Sequence, residues 1–287
     1  MRTEQEMYDL ILRTAKEDER IRAALLVGSR ADPEAPRDQY QDYDISCLVK
    51  DVTPFYNNLA WIEETFGKPA VLQMPELMSH PLLPPESDGH FAYLMIFDDG
   101  VRIDLNIGTK PYMTEGEPAV VLLDKDGIFA NLRPQKGYWH IQPPNERIFL
   151  DCCNEFWWCL NNVAKGIARD ELPYAMEMFH HYVRDMLNEM LKWEIGVRTG
   201  FSVSAGKMGK YFKKYLPEER YHLYEKTYSD SDYEHVWDSV FTACELFRTA
   251  AQKVSRHFGF SYRTQEDQNM TAYLTRVRQQ SKKETQD

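Results

Sequence analysis

Apolar and polar positions change their period along this 287-residue chain. Met7, Leu10 and Ile11 recur at helical spacing behind Thr3 and Glu6, a capping-box pair, so the chain opens with a helix. Ile21–Val27 is a continuous apolar run ending at Gly28 and predicts a buried strand. Asp42–Lys50 predicts a second strand, 54–66 a helix, and 70–74 an extended segment. Phe91–Phe97 and Val101–Ile107 flank Asp98-Asp99-Gly100, a strong hairpin signal, and Val120–Leu123 adds another strand. Pro134, Pro143 and Pro144 mark a boundary near residue 140. Beyond it the period becomes helical, over 148–168, 174–199, 206–216, 218–228 and 231–258. Pro173 suits a first turn, Gly200 a helix end, and Ser231 with Glu234 a second capping box. From about residue 263 the chain is polar and reads as a loosely held tail. The expected class is α+β, with a mixed sheet flanked by helices over 1–140 and an all-α domain over 141–287.

Charge sharpens this division. With 34 basic and 45 acidic side chains the net charge is 34 − 45 = −11. Residues 1–145 hold 24 acidic and 14 basic groups, a balance of −10, leaving −1 for the rest. Such acidity disfavours a protein that grips nucleic-acid phosphates, and it suits a cationic partner. No apolar run approaches the roughly 20 residues needed to span a bilayer. The first residues lack the apolar stretch of a secretory signal. Five cysteines, two of them adjacent at 152 and 153, suggest no disulfide framework and point to a reducing cytoplasm.

Candidate chemistry gathers in Gly28-Ser29-Arg30 and Asp42-Tyr43-Asp44. On a strand Asp42 and Asp44 would project from one face, and two adjacent carboxylates call for a cation between them. Mg²⁺ fits, since it favours carboxylate and phosphate oxygens. In Val101–Ile107, Arg102, Asp104 and Asn106 share the face opposite the apolar residues. A mid-strand Asp104 is disfavoured by propensity unless it joins such a site. Gly28 and Ser29 would let backbone N–H groups and a hydroxyl approach a phosphate, with Arg30 adding charge. In the helical half Lys207, Lys210 and Lys214 would share a helix face, and Ser204–Lys207 at a helix start would suit an anion. Asp151 and Glu155 stand four residues apart beside Trp158, a set that could meet a cationic, sugar-like ligand. No histidine spacing suggests zinc.

This ordered set resembles the nucleotidyltransferase superfamily that includes DNA polymerase β. IRAALLVGSRADP, QDYDIS, FDDGVRIDLNIG, VLLDKDG and CCNEFWWCLNNVAKGIARDELPYA are similar to the aminoglycoside 6-adenylyltransferases, or streptomycin adenylyltransferases, over roughly residues 1–260. The resemblance implies a catalytic nucleotidyltransferase domain followed by a helical domain that binds substrate and nucleotide. It implies attack by a streptomycin hydroxyl on the α-phosphate of ATP, with pyrophosphate released and antibiotic resistance conferred. Asp42, Asp44 and Asp104 would be the catalytic residues and the ligands of two Mg²⁺ ions. Gly28, Ser29, Arg30 and Lys207 would hold the nucleotide, and Asp151, Glu155 and Trp158 the antibiotic. The general base would be Asp104 or a carboxylate of the helical half. The protein would act as a monomer or homodimer, without nucleic acid or membrane. Two other readings remain: a nucleotidyltransferase with a different acceptor, such as a protein, or a non-catalytic nucleotide-binding partner.

Overall fold

The computed structural model describes residues 2–78 and 89–284 of the chain. It divides into two compact units, Met1–Tyr138 and Trp139–Asp287. Of the Pro-rich stretch at 81–90, residues 81–88 lie outside the described residues.

The first unit is built on six strands, β1 (Ile21–Val27), β2 (Tyr43–Val49), β3 (Val71–Gln73), β4 (His90–Ile96), β5 (Arg102–Gly108) and β6 (Val120–Asp124). Their order is β3-β4-β5-β2-β1-β6. All neighbours are antiparallel except β2 and β5, which are parallel. Helix α1 (Glu4–Glu17) begins with the capping box expected at Thr3 and Glu6. A single turn, α2 (Gly28–Ala31), follows β1. The helix expected over 54–66 is interrupted: a 3₁₀ turn at Thr53–Phe55 precedes α3 (Leu59–Phe66). Asn58 causes the break, because its side chain accepts from the Trp61 N–H and starts a new helix.

Alternation along the strands gives the sheet two different faces. Ile45, Cys47, Ile103, Leu105, Ile107, Phe91, Tyr93 and Met95 point into the main core with Met7, Ile11, Ile62 and Phe66 of the helices. The opposite face carries Leu25 and Val27, covered by Ala119 with Met113, Phe129 and Leu132. It also carries Asp44 and Ser46 of β2, with Asp104 and Asn106 of β5 directly beside them. Polar groups therefore line the sheet centre, where a parallel pair is usually apolar on both sides.

The second unit contains α4 (Glu146–Ala168), α5 (Leu172–Glu177), α6 (Arg184–Thr199), α7 (Phe212–Tyr215), α8 (Glu218–Glu225), α9 (Tyr233–Phe258) and α10 (Thr264–Glu284). A π-helical turn, Met178–Val183, joins α5 to α6, and Gly200 ends α6 with a left-handed φ of 63°. The cap of α9 is Asp232 rather than Ser231: its side chain accepts from the Glu234 and His235 N–H groups. The segment from 263 is not a loose tail. Within α10, Asp267 is 2% exposed and paired with Arg248, and Leu274 is fully buried. Its apolar stripe is narrow, at 270, 273, 274 and 277, so low overall hydropathy concealed a docked helix.

Candidate active site

Asp44 and Asp104 are direct partners in the parallel β2–β5 register, so their side chains lie next to one another on the same face. Asp42 precedes β2 instead of lying within it as the D-x-D spacing predicted. It is held near the pair by the chain around it. Arg30, 7% exposed, donates to the Gln41 and Asp42 carbonyl oxygens at 2.9–3.3 Å and lies 3.9 Å over the Tyr43 ring. A further guanidinium nitrogen pairs with Glu4 at 3.3 Å. In this structure the Arg30 guanidinium is engaged by backbone carbonyls, Glu4 and the Tyr43 ring. It clamps the backbone that presents Asp42.

Gly28 has a φ of +66°, and a Cβ built there would lie 2.2 Å from Asp44 Oδ2. The glycine at the β1–α2 junction makes room for this carboxylate, a tighter demand than the phosphate approach inferred from sequence. Ser29 follows it, and the Gln41 amide donates to both its carbonyl oxygen and its hydroxyl oxygen at 3.2–3.3 Å. The turn before β2 is thus tied to the turn after β1.

Negative charge is under-compensated here. Burial, then the Asp104 charge, then that of Asp42, push the Asp44 carboxyl up to about 6, while Arg102 opposes the rise. Glu117, anchored by the Thr114 N–H at 2.9 Å, adds to it. The local cation is Arg102, two residues before Asp104 on the same face of β5. Its Nε and Nη2 meet the two Asp104 oxygens at 2.8 and 2.7 Å, and Nη1 lies 3.5 Å from Asp42. Among the described residues, no three His, Cys, Asp or Glu side chains form a ready-made metal site. The donor set nevertheless fits a hard divalent cation, because only oxygens converge and one carboxylate is held well above its ordinary range.

Three features were not legible as parts of a site. Arg102 was visible only as a residue on the same face. Glu117 lies in a connecting segment with no periodic signal. Asn106 is 7% exposed, and its side-chain Oδ1 lies 3.2 Å from His90 Nε2, while His90 Nδ1 meets Glu76 at 2.9 Å. That chain lies on the same face of the sheet as the carboxylates, with Asn106 Nδ2 reaching the Asp104 carbonyl at 3.4 Å.

The remaining candidates belong to the second unit. Asp151, Glu155 and Trp158 all face solvent from α4, Trp158 with 65% exposure, whereas Phe156 and Trp157 are buried. Asp151 pairs with Arg147 at 3.6 Å, and Glu155 accepts from Cys159 at 3.2 Å. Lys207 is exposed, but no α-helix starts there: Lys207–Gly209 is a 3₁₀ turn with Met208 at a φ of 55°. Gly206 and Gly209, both with positive φ, break the helical period that grouped Lys207 with Lys210 and Lys214. All five cysteines are free and buried.

The profile of a family described as streptomycin adenylyltransferase matches residues 1–277. An aminoglycoside 6-adenylyltransferase of Bacillus subtilis (strain 168) is 40% identical over 279 residues, covering 95% of this chain and 97% of its own. Another, of Campylobacter jejuni, is 38% identical over 281 residues, 96% of each chain. A solved structure of an aminoglycoside 6-adenyltransferase from Bacillus subtilis is 34% identical, with a TM-score of 0.48, over 96% of this chain and 99% of that one.

Proposed function

The chain belongs to the streptomycin adenylyltransferase family, and on that premise we propose that it transfers AMP from ATP to a hydroxyl of streptomycin. The observation that carries this reading is the lateral pairing of Asp44 with Asp104, beside Asp42, on a face where apolar side chains would ordinarily pack. A new bond forms between the acceptor oxygen and the α-phosphorus, and the bond to the leaving pyrophosphate breaks. Asp42, Asp44 and Asp104 would hold Mg²⁺, which when bound supplies charge stabilisation at the phosphate and makes the hydroxyl more acidic. Asp104 accepts the hydroxyl proton in this scheme. Ser29 and the backbone of the Gly28 turn meet phosphate oxygens, and Lys207 takes the charge of the β- and γ-phosphates. The guanidinium groups of streptomycin suit Asp151 and Glu155, and its sugars suit the exposed face of Trp158.

The test is direct. The protein is incubated with ATP, Mg²⁺ and streptomycin, and pyrophosphate is measured. Release that depends on streptomycin supports the proposal. Release only with another aminoglycoside or a protein acceptor overturns the acceptor assignment, and none with any acceptor overturns catalysis. Lys207→Ala should raise KM for ATP more than KM for the antibiotic.

A further inference from the structure

Arg102 holds a peculiar place in the carboxylate site. The period of two along β5 puts it on the face of Asp104, where it meets both oxygens of that residue and one of Asp42. Among the described residues, its recorded hydrogen bonds and ion pairs go to these carboxylates alone. Its side chain is 43% exposed, so a path to solvent is open. Arg30 makes the contrast: 7% exposed, bonded to backbone carbonyls and stacked on Tyr43, it has no freedom to leave.

We propose that Arg102 is a built-in counter-ion of the site, occupying the oxygens that a divalent cation needs and leaving only when that cation displaces it. The inference rests on the metal-binding role proposed above for Asp42, Asp44 and Asp104. A bidentate guanidinium neutralises the oxygens a metal would take, so the metal must exchange with it rather than enter ready-made carboxylates. The guanidinium also gives the protein a way to keep like charges together before its co-substrates bind. Once displaced, the guanidinium is left near the site with no carboxylate partner.

The consequence is read in metal affinity rather than turnover. Two charges about 4 Å apart near a protein surface interact strongly, so removing a competing cation should tighten metal binding by at least about tenfold. Mn²⁺ is titrated into the nucleotide-free protein and bound ion is followed by electron paramagnetic resonance. Arg102→Gln and Arg102→Ala are expected to bind Mn²⁺ at least about tenfold more tightly than wild type, with Arg102→Lys between them. Melting curves establish that each variant is folded, and the Mg²⁺-induced rise in Tm should be larger in Arg102→Gln than in wild type. Equal affinities in wild type and both neutral variants, with binding that is lost in Asp44→Asn, overturn the counter-ion role and leave the metal site standing. Mn²⁺ binding that Asp44→Asn does not weaken, or no binding in any form, overturns both.

Discussion

Asp44 concentrates the conflict between stability and chemistry at a single residue. Its carboxyl is pushed up to about 6 by burial and by the charges of Asp104 and Asp42. In the unfolded chain it returns to its ordinary range near 4. Between about pH 4 and 6 the folded protein therefore keeps a proton that the unfolded chain has lost, and stability falls as pH rises through that window. Asp44→Asn removes the penalty. In metal-free buffer it should be more stable than wild type by about 3 kcal/mol at pH 7.5 and equal to it below about pH 4, while turnover is lost. Thermal melts at the two pH values check this, and a variant that is less stable at pH 7.5 would contradict the origin of the shift. The residue types at this site were legible in the sequence, because an Asp in mid-strand violates β-propensity and demands a reason. Their partners were not. Arg30 read as a charge beside a phosphate turn, and its clamping of the backbone before β2 was not visible, since only folding brings the Gln41 and Asp42 carbonyls to its guanidinium.

At the scale of elements, the β1–α2 junction and the α6–α8–α9 contact make opposite demands on the sequence. The first needs the smallest residue. Gly28→Ala would force a side chain into a left-handed backbone and against Asp44 Oδ2. A cost of roughly 1–3 kcal/mol and a large loss of activity are expected. If the clash is with the carboxylate, Gly28→Ala combined with Asp44→Ala should destabilise by less than the sum of the two single changes. Additive effects in urea denaturation would argue against it. The second contact needs a buried charge. Glu194 of α6, 1% exposed, receives Arg220 of α8 at 2.5 Å and Lys253 of α9 at 2.7 Å. Glu194→Ala leaves Arg220, itself 7% exposed, without its carboxylate, and should cost about 3–5 kcal/mol in chemical denaturation. Neither the glutamate nor its partners show in the helical pattern, because a buried ion pair between helices looks like a polar residue out of phase. The same blindness explains α10, whose buried Asp267 is paired with Arg248 of α9.

Taken over the whole molecule, charge divides as sharply as secondary structure. The first unit, residues 1–138, holds the same 24 acidic and 14 basic groups as residues 1–145, because 139–145 carry none, so its balance is −10. Carboxylates at the site contribute to this, and the rest of the field favours approach of a cationic acceptor. If the acceptor is streptomycin as proposed, its KM should therefore rise severalfold between about 50 and 300 mM salt, where the Debye length falls from well above 10 Å to well below it. Initial-rate measurements across that range check the prediction, and a salt-independent KM would remove acidity from the account of acceptor binding. Among the described residues no helix is long and apolar enough to cross a membrane.

What the sequence determined by itself was local in origin. The capping box of α1, the Asp-Gly turn between β4 and β5, the alternation along the strands and the change to helical period near residue 140 all act over a few residues, so the chain displays them directly. What the tertiary structure decided depends on long-range pairing. Strands β2 and β5 are separated by two others in sequence yet lie side by side in parallel, and that register alone makes Asp44 the neighbour of Asp104. It also brings Arg102 within reach of Asp42, while the antiparallel β1–β2 pairing sets Gly28 against Asp44, sixteen residues further along the chain. Period and propensity fix which face a side chain takes. Which charges then meet on that face follows from strand order, which burial of the two-sided core selects for the chain as a whole.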